Sequence, residues 1–405
     1  MEIQTMLAFG LILIISLLIP WYEGLLKKNK YLYITVLALG LCFALRAAFM
    51  DYRSGDYNSF LAKWVEYFRI SGGFKGFSES VGNYNVPYLY FLALFSYLPL
   101  NDLYLIKLLS IFSDIVMAFG MMKLAGVYTR SVPKRLVAYL ITLLLPTVII
   151  NSSMWGQCDS IYVSLAILAL WFALSSRPKL SVAFFALSFG FKLQAVFILP
   201  ICLVLVFAKK VKFRHLFIFP AVYIAEILPA VLFGRPFFDT LLLYFSQADS
   251  VGTGLNYNSP SFFSMVSGKV NVEALSALGV ACAFLFVCSV LIWAWYKRES
   301  LGNEAILGIA LLFVAGIPFL LPHMHDRYFY MLDVLALLPA VLWVSYTPVA
   351  VFASFASLLC YYSYFNRAYL LPLRYGAFAL IALLVIYFTF TAEKLGSRRY
   401  DAYLP

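Results

Sequence analysis

Charge is what this chain of 405 residues has least of. Charged residues make up 12% of it, against about 25% in a soluble globular domain. That shortage, with 63% hydrophobic residues, excludes an ordinary soluble enzyme, a disordered chain and a small secreted domain. Cysteine is also sparse. Cys42, Cys158, Cys202, Cys282, Cys288 and Cys360 show no metal-ligand spacing and read as small core residues, not as a disulfide framework. Acidic residues number 19 against 30 basic ones, a net charge of +11. The basic excess falls in short clusters between apolar runs, the pattern of cytoplasmic loops. Anionic membrane lipid is therefore the expected partner, and nucleic acid is not. No basic region precedes the first apolar run and no cleavage site follows it, so it reads as a retained span.

What is present is long apolar sequence. With mean hydropathy at +0.89, the chain reads as an all-α polytopic membrane protein, a single transmembrane domain over 1–405. About thirteen candidate spans lie near 4–22, 31–50, 103–126, 135–151, 157–175, 180–191, 193–208, 214–233, 273–296, 304–321, 329–346, 348–365 and 370–391. The pair 180–191 and 193–208 is short and reads as a broken or re-entrant hairpin. Lys27, Lys28, Arg130, Lys134, Arg177, Lys209, Lys297 and Lys394 and their basic neighbours all fall on one side if the N-terminus is outside and the C-terminus is cytoplasmic. Two outer loops follow from that orientation. The first, 51–102, is predicted to carry interfacial helices at 56–70 and 87–99, rich in aromatic residues. The second, 234–272, is predicted to carry one near 236–248. Interfacial helices on one face build a cavity suited to a substrate with a lipid tail and a polar head.

The polar residues in this apolar setting require an account. Asp51 and Asp56 stand just above the bilayer, where a carboxylate can serve as a general base on a hydroxyl or cap the helix that follows. Tyr84-Asn85-Val86-Pro87 reads as ordinary punctuation at a helix start. Asp159, in Trp155-Gly156-Gln157-Cys158-Asp159, can bind a sugar hydroxyl or cap the next helix. Lys192 and Gln194 mark the turn of the short hairpin, where the lysine either meets an anion or snorkels to the interface. His323-Met324-His325-Asp326-Arg327 holds two of the chain's three histidines. Two histidines and one aspartate are weak for zinc, and histidine beside arginine fits a phosphate better. Asp114 and Glu226 fall inside spans, where carboxylates are functional candidates by default. Asp114 can equally be a buried structural partner of Lys107 or Arg46, and Asp333 can pair with Arg327 or a neighbour.

Taken together these residues resemble the GT-C superfamily of integral-membrane glycosyltransferases. The likeness runs towards the dolichyl-phosphate-glucose-dependent glucosyltransferases and their bacterial relatives. It rests on Gly55-Asp56-Tyr57 with Trp64 eight residues after the aspartate, and on Tyr84-Asn85-Val86-Pro87, one proline short of the family's stretch. Asp114, Trp155-Gly156-Gln157, Lys192 with Gln194, and His323, His325, Asp326 and Arg327 complete it, in order over roughly 50–330. An extra span before the first loop, and Asp-Arg in place of Glu-Lys at the histidine turn, are departures.

The resemblance implies a GT-C-like fold, a polyprenyl-phosphate sugar donor (undecaprenyl or dolichyl) and transfer of one sugar with inversion. It makes Asp56 the catalytic base. Lys192, Arg327, His325 and His323 are the residues expected to hold the donor phosphate. Asp51, Trp155, Gln157, Asp159, Gln194 and Tyr84 are expected to line the substrate site. The acceptor is a glycan, polymer or lipid-linked hydroxyl on the outer or lumenal face. No cofactor is expected, and a divalent metal at Asp51 and Asp56 is the less favoured option. A bacterial plasma membrane is the expected location, an endoplasmic reticulum membrane the alternative. The competing reading is a polytopic transporter or flippase, which buried carboxylates and a broken hairpin also suit.

Overall fold

A computed structural model describes residues 2–245 and 252–396. Among these the regular structure is helical, without strands. Eight helices are long and apolar enough to cross a membrane, and a ninth span results if Val132–Leu144 and Pro146–Trp155, bent by 47° at their junction, are taken as one. The other expected spans are helical but short: Asp159–Leu174, Pro178–Phe191, Leu193–Phe207 and Tyr330–Leu342. Their lengths have local causes. Gly156 at φ 76° takes the left-handed conformation that ends a helix, and Pro146, Pro178 and Pro200 interrupt the backbone ladder.

The chain divides into two compact units. The first comprises 1–171, 180–195 and 217–250. In it α1 (Ile3–Tyr22) and α2 (Asn29–Phe49) precede the loop 51–102, which holds α3 (Ala62–Ile70) and α4 (Val86–Phe95). Helix α5 (Asp102–Tyr128) runs through the middle of the unit, mostly buried, and packs against α1 and α6 (Val132–Leu144). At one end of these helices Glu23 accepts from Lys123 at 3.0 Å and Arg135 at 3.1 Å. At the other end, next to the 51–102 loop, lie Asp51, Asp56 and the start of α5. The expected helix near 236–248 forms at Phe237–Leu241; residues 246–248 lie outside the described residues.

The second unit comprises 172–179, 196–216 and 251–405. Here Asn303–Leu320, buried along almost its whole length, is flanked by Val272–Tyr296 and Arg374–Gly396. Gly308 permits the closest of these approaches: a Cβ there would stand 2.3 Å from Thr391 Oγ1. Small residues serve this purpose where helices meet in lipid.

Candidate functional site

The first loop begins with a cap. Ser54 is buried, its Oγ accepts from the Tyr57 backbone N–H at 3.1 Å, and its hydroxyl donates to the Trp155 carbonyl at 2.7 Å. The capping role that the sequence left open for Asp56 is thus taken by Ser54, and Asp56 makes no cap bond. Its carboxylate is held from the far side of the unit instead. Trp155 Nε1 donates to Asp56 Oδ2 at 3.0 Å and Gln157 Nε2 donates to the same oxygen at 2.7 Å.

A widened helical turn adjoins each side of this contact. Tyr57–Leu61, directly after Asp56, and Ile150–Trp155 are π-helical. Such single turns are rare and recur at functional sites. The second ends at Gly156, whose backbone N–H, like that of Gln157, donates to the Asn151 carbonyl. Trp155 is fully buried, and Ser110 donates to the Gln157 carbonyl at 2.7 Å, which anchors the turn to α5.

The cluster continues from Gln157. Tyr84 OH donates to Gln157 Oε1 at 3.4 Å, and Lys192 Nζ lies 5.4 Å from the centre of the Tyr84 ring. Lys192 is buried and ion-paired with Asp159, which also accepts from Asn151 Nδ2 at 2.8 Å. Lys192 therefore does not snorkel, and Asp159 is a counter-ion. The fold brings together Asp56, Trp155, Gln157, Tyr84, Lys192 and Asp159, six of the residues singled out in the sequence. Asp51 accepts from Tyr104 at 2.6 Å, and Gln194 Oε1 is buried with no hydrogen-bond partner among the described residues. Burial pushes the phenols of Tyr57 and Tyr88 above their ordinary range, so neither competes as a base near neutral pH.

Beneath the cluster lies its support. Arg46 donates to Asp114 Oδ2 at 2.6 Å, to Ser152 at 2.7 Å and Ser153 at 3.2 Å on the second π turn, and to the Leu143 carbonyl at 3.1 Å. Asp114 is thus a structural partner, and it pairs with Arg46 and not with Lys107. Lys107 instead holds the carbonyls of Phe49, Met50 and Tyr52 at 2.6–3.0 Å, closing the end of α2.

In the second unit the histidine turn forms a cluster of its own. His323, at φ 60°, has Nδ1 2.7 Å from the Gly254 carbonyl oxygen. His325 stacks on Tyr257 with ring centres 4.9 Å apart, and Arg327 lies 3.5 Å from Asp326. Asp333 accepts from Ser357 at 2.8 Å. Among the described residues no three of His, Cys, Asp and Glu gather as a metal site.

Compared with protein-family models, curated proteins and solved structures, the chain matches none.

Proposed function

We propose that this chain is a glycosyltransferase with a GT-C-like fold. It moves a single sugar from a polyprenyl-phosphate donor to an acceptor hydroxyl, with Asp56 as general base. The observation that carries the reading is the use of Asp56. Its carboxylate is spared from helix capping, oriented by two N–H donors, and set in a cluster with a tyrosine and a buried ion pair. A base must be positioned before it is useful, and two donors to one oxygen fix the plane of the carboxylate.

In the reaction the acceptor oxygen attacks the anomeric carbon as its proton passes to Asp56. The bond from that carbon to the phosphate oxygen breaks, and the phosphate departs with the electron pair. One displacement inverts the configuration. Cations stabilise the charge that develops on the phosphate. Lys192 suits this role if its pairing with Asp159 is exchanged for the phosphate, and Arg327 with His323 and His325 suits it by chemistry. Tyr84, Trp155 and Gln157 present aromatic and amide groups of the kind that bind sugars. The outer face of a bacterial plasma membrane, with an undecaprenyl carrier, fits the short loops and the lysine and arginine clusters.

The test is transfer from a panel of polyprenyl-phosphate sugars by purified protein, with Asp56→Asn beside wild type. Asparagine keeps an oxygen for Trp155 and Gln157 but loses the base. Turnover is expected to fall about 10²–10⁴-fold with donor binding retained. Equal turnover by Asp56→Asn and an active wild type would leave Asp56 only a structural clasp.

One observation favours a transporter instead. Glu226 lies in the candidate span Phe213–Leu232, and both its carboxylate oxygens are buried without a hydrogen-bond partner among the described residues. A transporter would require that carboxylate, and Glu226→Gln would abolish uptake. The transferase would keep its activity in the same variant.

A further inference from the structure

Arg235 was not prominent in the sequence, sitting alone in Phe233-Gly234-Arg235-Pro236 after a long apolar run. In the first unit it is a buried cation that, among the described residues, forms no ion pair. Only 4% of its surface is exposed. Nη2 donates to Ser80 Oγ at 3.2 Å, while Nη1 is buried with no acceptor among the described residues. Asp239, four residues on, forms no ion pair with it among the described residues. Burial pushes the guanidinium below its ordinary range.

This placement is built, not incidental. Gly234 takes φ 101°, a conformation open to glycine, and sets the chain against Ser78. The Phe233 ring lies 5.5 Å from that of Phe74, and the Arg235 backbone N–H donates to the Ala230 carbonyl at 3.1 Å. A guanidinium taken from water and left without an anion is costly, and groups so placed are found where a ligand completes them.

We propose that Arg235, with Ser80, is a binding position for a phosphoryl group, and that the group is the headgroup of a lipid. Nη1 offers its N–H donors, and the Ser80 hydroxyl can turn to donate a further hydrogen bond. An acceptor with three or more oxygens matches this set better than a carboxylate. Ser80 is exposed, so the guanidinium lies directly beneath the surface. Leu232, Phe233 and Phe238 beside it are exposed apolar residues at the end of a candidate span, which suits an acyl or prenyl chain. The inference does not depend on sugar transfer.

The full chain, purified in dodecyl maltoside, is titrated with dodecyl phosphate and separately with inorganic phosphate, binding being read by calorimetry. Dodecyl phosphate is expected to bind wild type and Asp56→Asn alike. Arg235→Gln is expected to weaken it at least about tenfold, and Ser80→Ala by about threefold. If inorganic phosphate binds as well as dodecyl phosphate, the phosphoryl site stands and its lipid source does not. If neither binds, or Arg235→Gln binds unchanged, the site is overturned. Thermal unfolding without ligand separates a binding role from a structural one. Arg235→Gln should melt at or above wild type, since it removes an uncompensated charge, and a clear drop would make Arg235 a structural residue.

Discussion

Two regions of the first unit treat buried charge in opposite ways. Around α2, α5 and the second π turn, each buried charge meets its complement: Arg46 has Asp114 and two serines, Lys192 has Asp159, and Lys107 has three carbonyls. Along the stretch from Gly190 through Glu226 to Arg235, both carboxylate oxygens of Glu226 and Nη1 of Arg235 are buried with no hydrogen-bond partner among the described residues. Such pairing makes a support, with Asp114 Oδ1 the oxygen of its central ion pair that has no hydrogen-bond partner among the described residues. Missing pairing costs stability and leaves groups available to something that is not part of the chain. The difference sets a paired support apart from a region whose buried polar groups lack partners within the chain, the region to which the proposed phosphoryl position belongs.

The largest expected effect comes from breaking the scaffold. Arg46→Met leaves Asp114 buried without its cation and should destabilise by roughly 3–5 kcal/mol, seen as a large loss of melting temperature in detergent. Adding Asp114→Leu should restore much of it, because a hydrophobic pair replaces an ionic one at little cost. If the single variant melted like wild type, Arg46 would not be supporting the turn that holds Trp155.

A smaller effect is expected at Gly190, where a Cβ would stand 2.1 Å from Glu226 Oε2. Gly190→Ala should cost at the low end of the roughly 1–3 kcal/mol typical of overpacking, since the tip of a glutamate can give way. Glu226→Ala in the same chain should remove that cost. Absence of rescue would place the strain elsewhere. The smallest effect sharpens the contrast directly. Glu226→Gln, with no hydrogen bond to lose, should shift stability by less than about 1 kcal/mol in chemical unfolding. A larger loss would mean that the carboxylate is held after all.

Much of the fold could be read in advance because apolar length is a one-dimensional property. The helices Ile3–Tyr22, Val272–Tyr296 and Arg374–Gly396 follow directly from runs with few charges. The break at Lys192 was visible as a charged residue in otherwise apolar sequence. Pairing was less visible. Asp159 reads as a sugar ligand or a helix cap and Lys192 as an anion ligand or a snorkelling lysine, yet the two neutralise each other across the fold. Asp114 had two candidate partners at similar depth, and only packing decides for Arg46. Ser54 was overlooked because three capping candidates stand within Asp51–Asp56, and the geometry of the turn selects among them. Arg235 gave no signal at all, since an isolated arginine before a proline resembles any loop residue.

The two π turns have a consequence for the chain's register. Each holds one residue more than an α-helical turn, and each residue in a helix advances the side chains by about 100° around the axis. The turn at Tyr57–Leu61 therefore sets the phase between Asp56 and the buried face of α3, where Val65 and Phe68 are fixed in the core. Deleting Ser59 would restore the ordinary pitch, and with α3 locked the carboxylate would swing away from Trp155 and Gln157 by about a third of a circle. The same count applies at Ile150–Trp155, so the meeting of carboxylate and indole depends on two single-residue insertions being kept together.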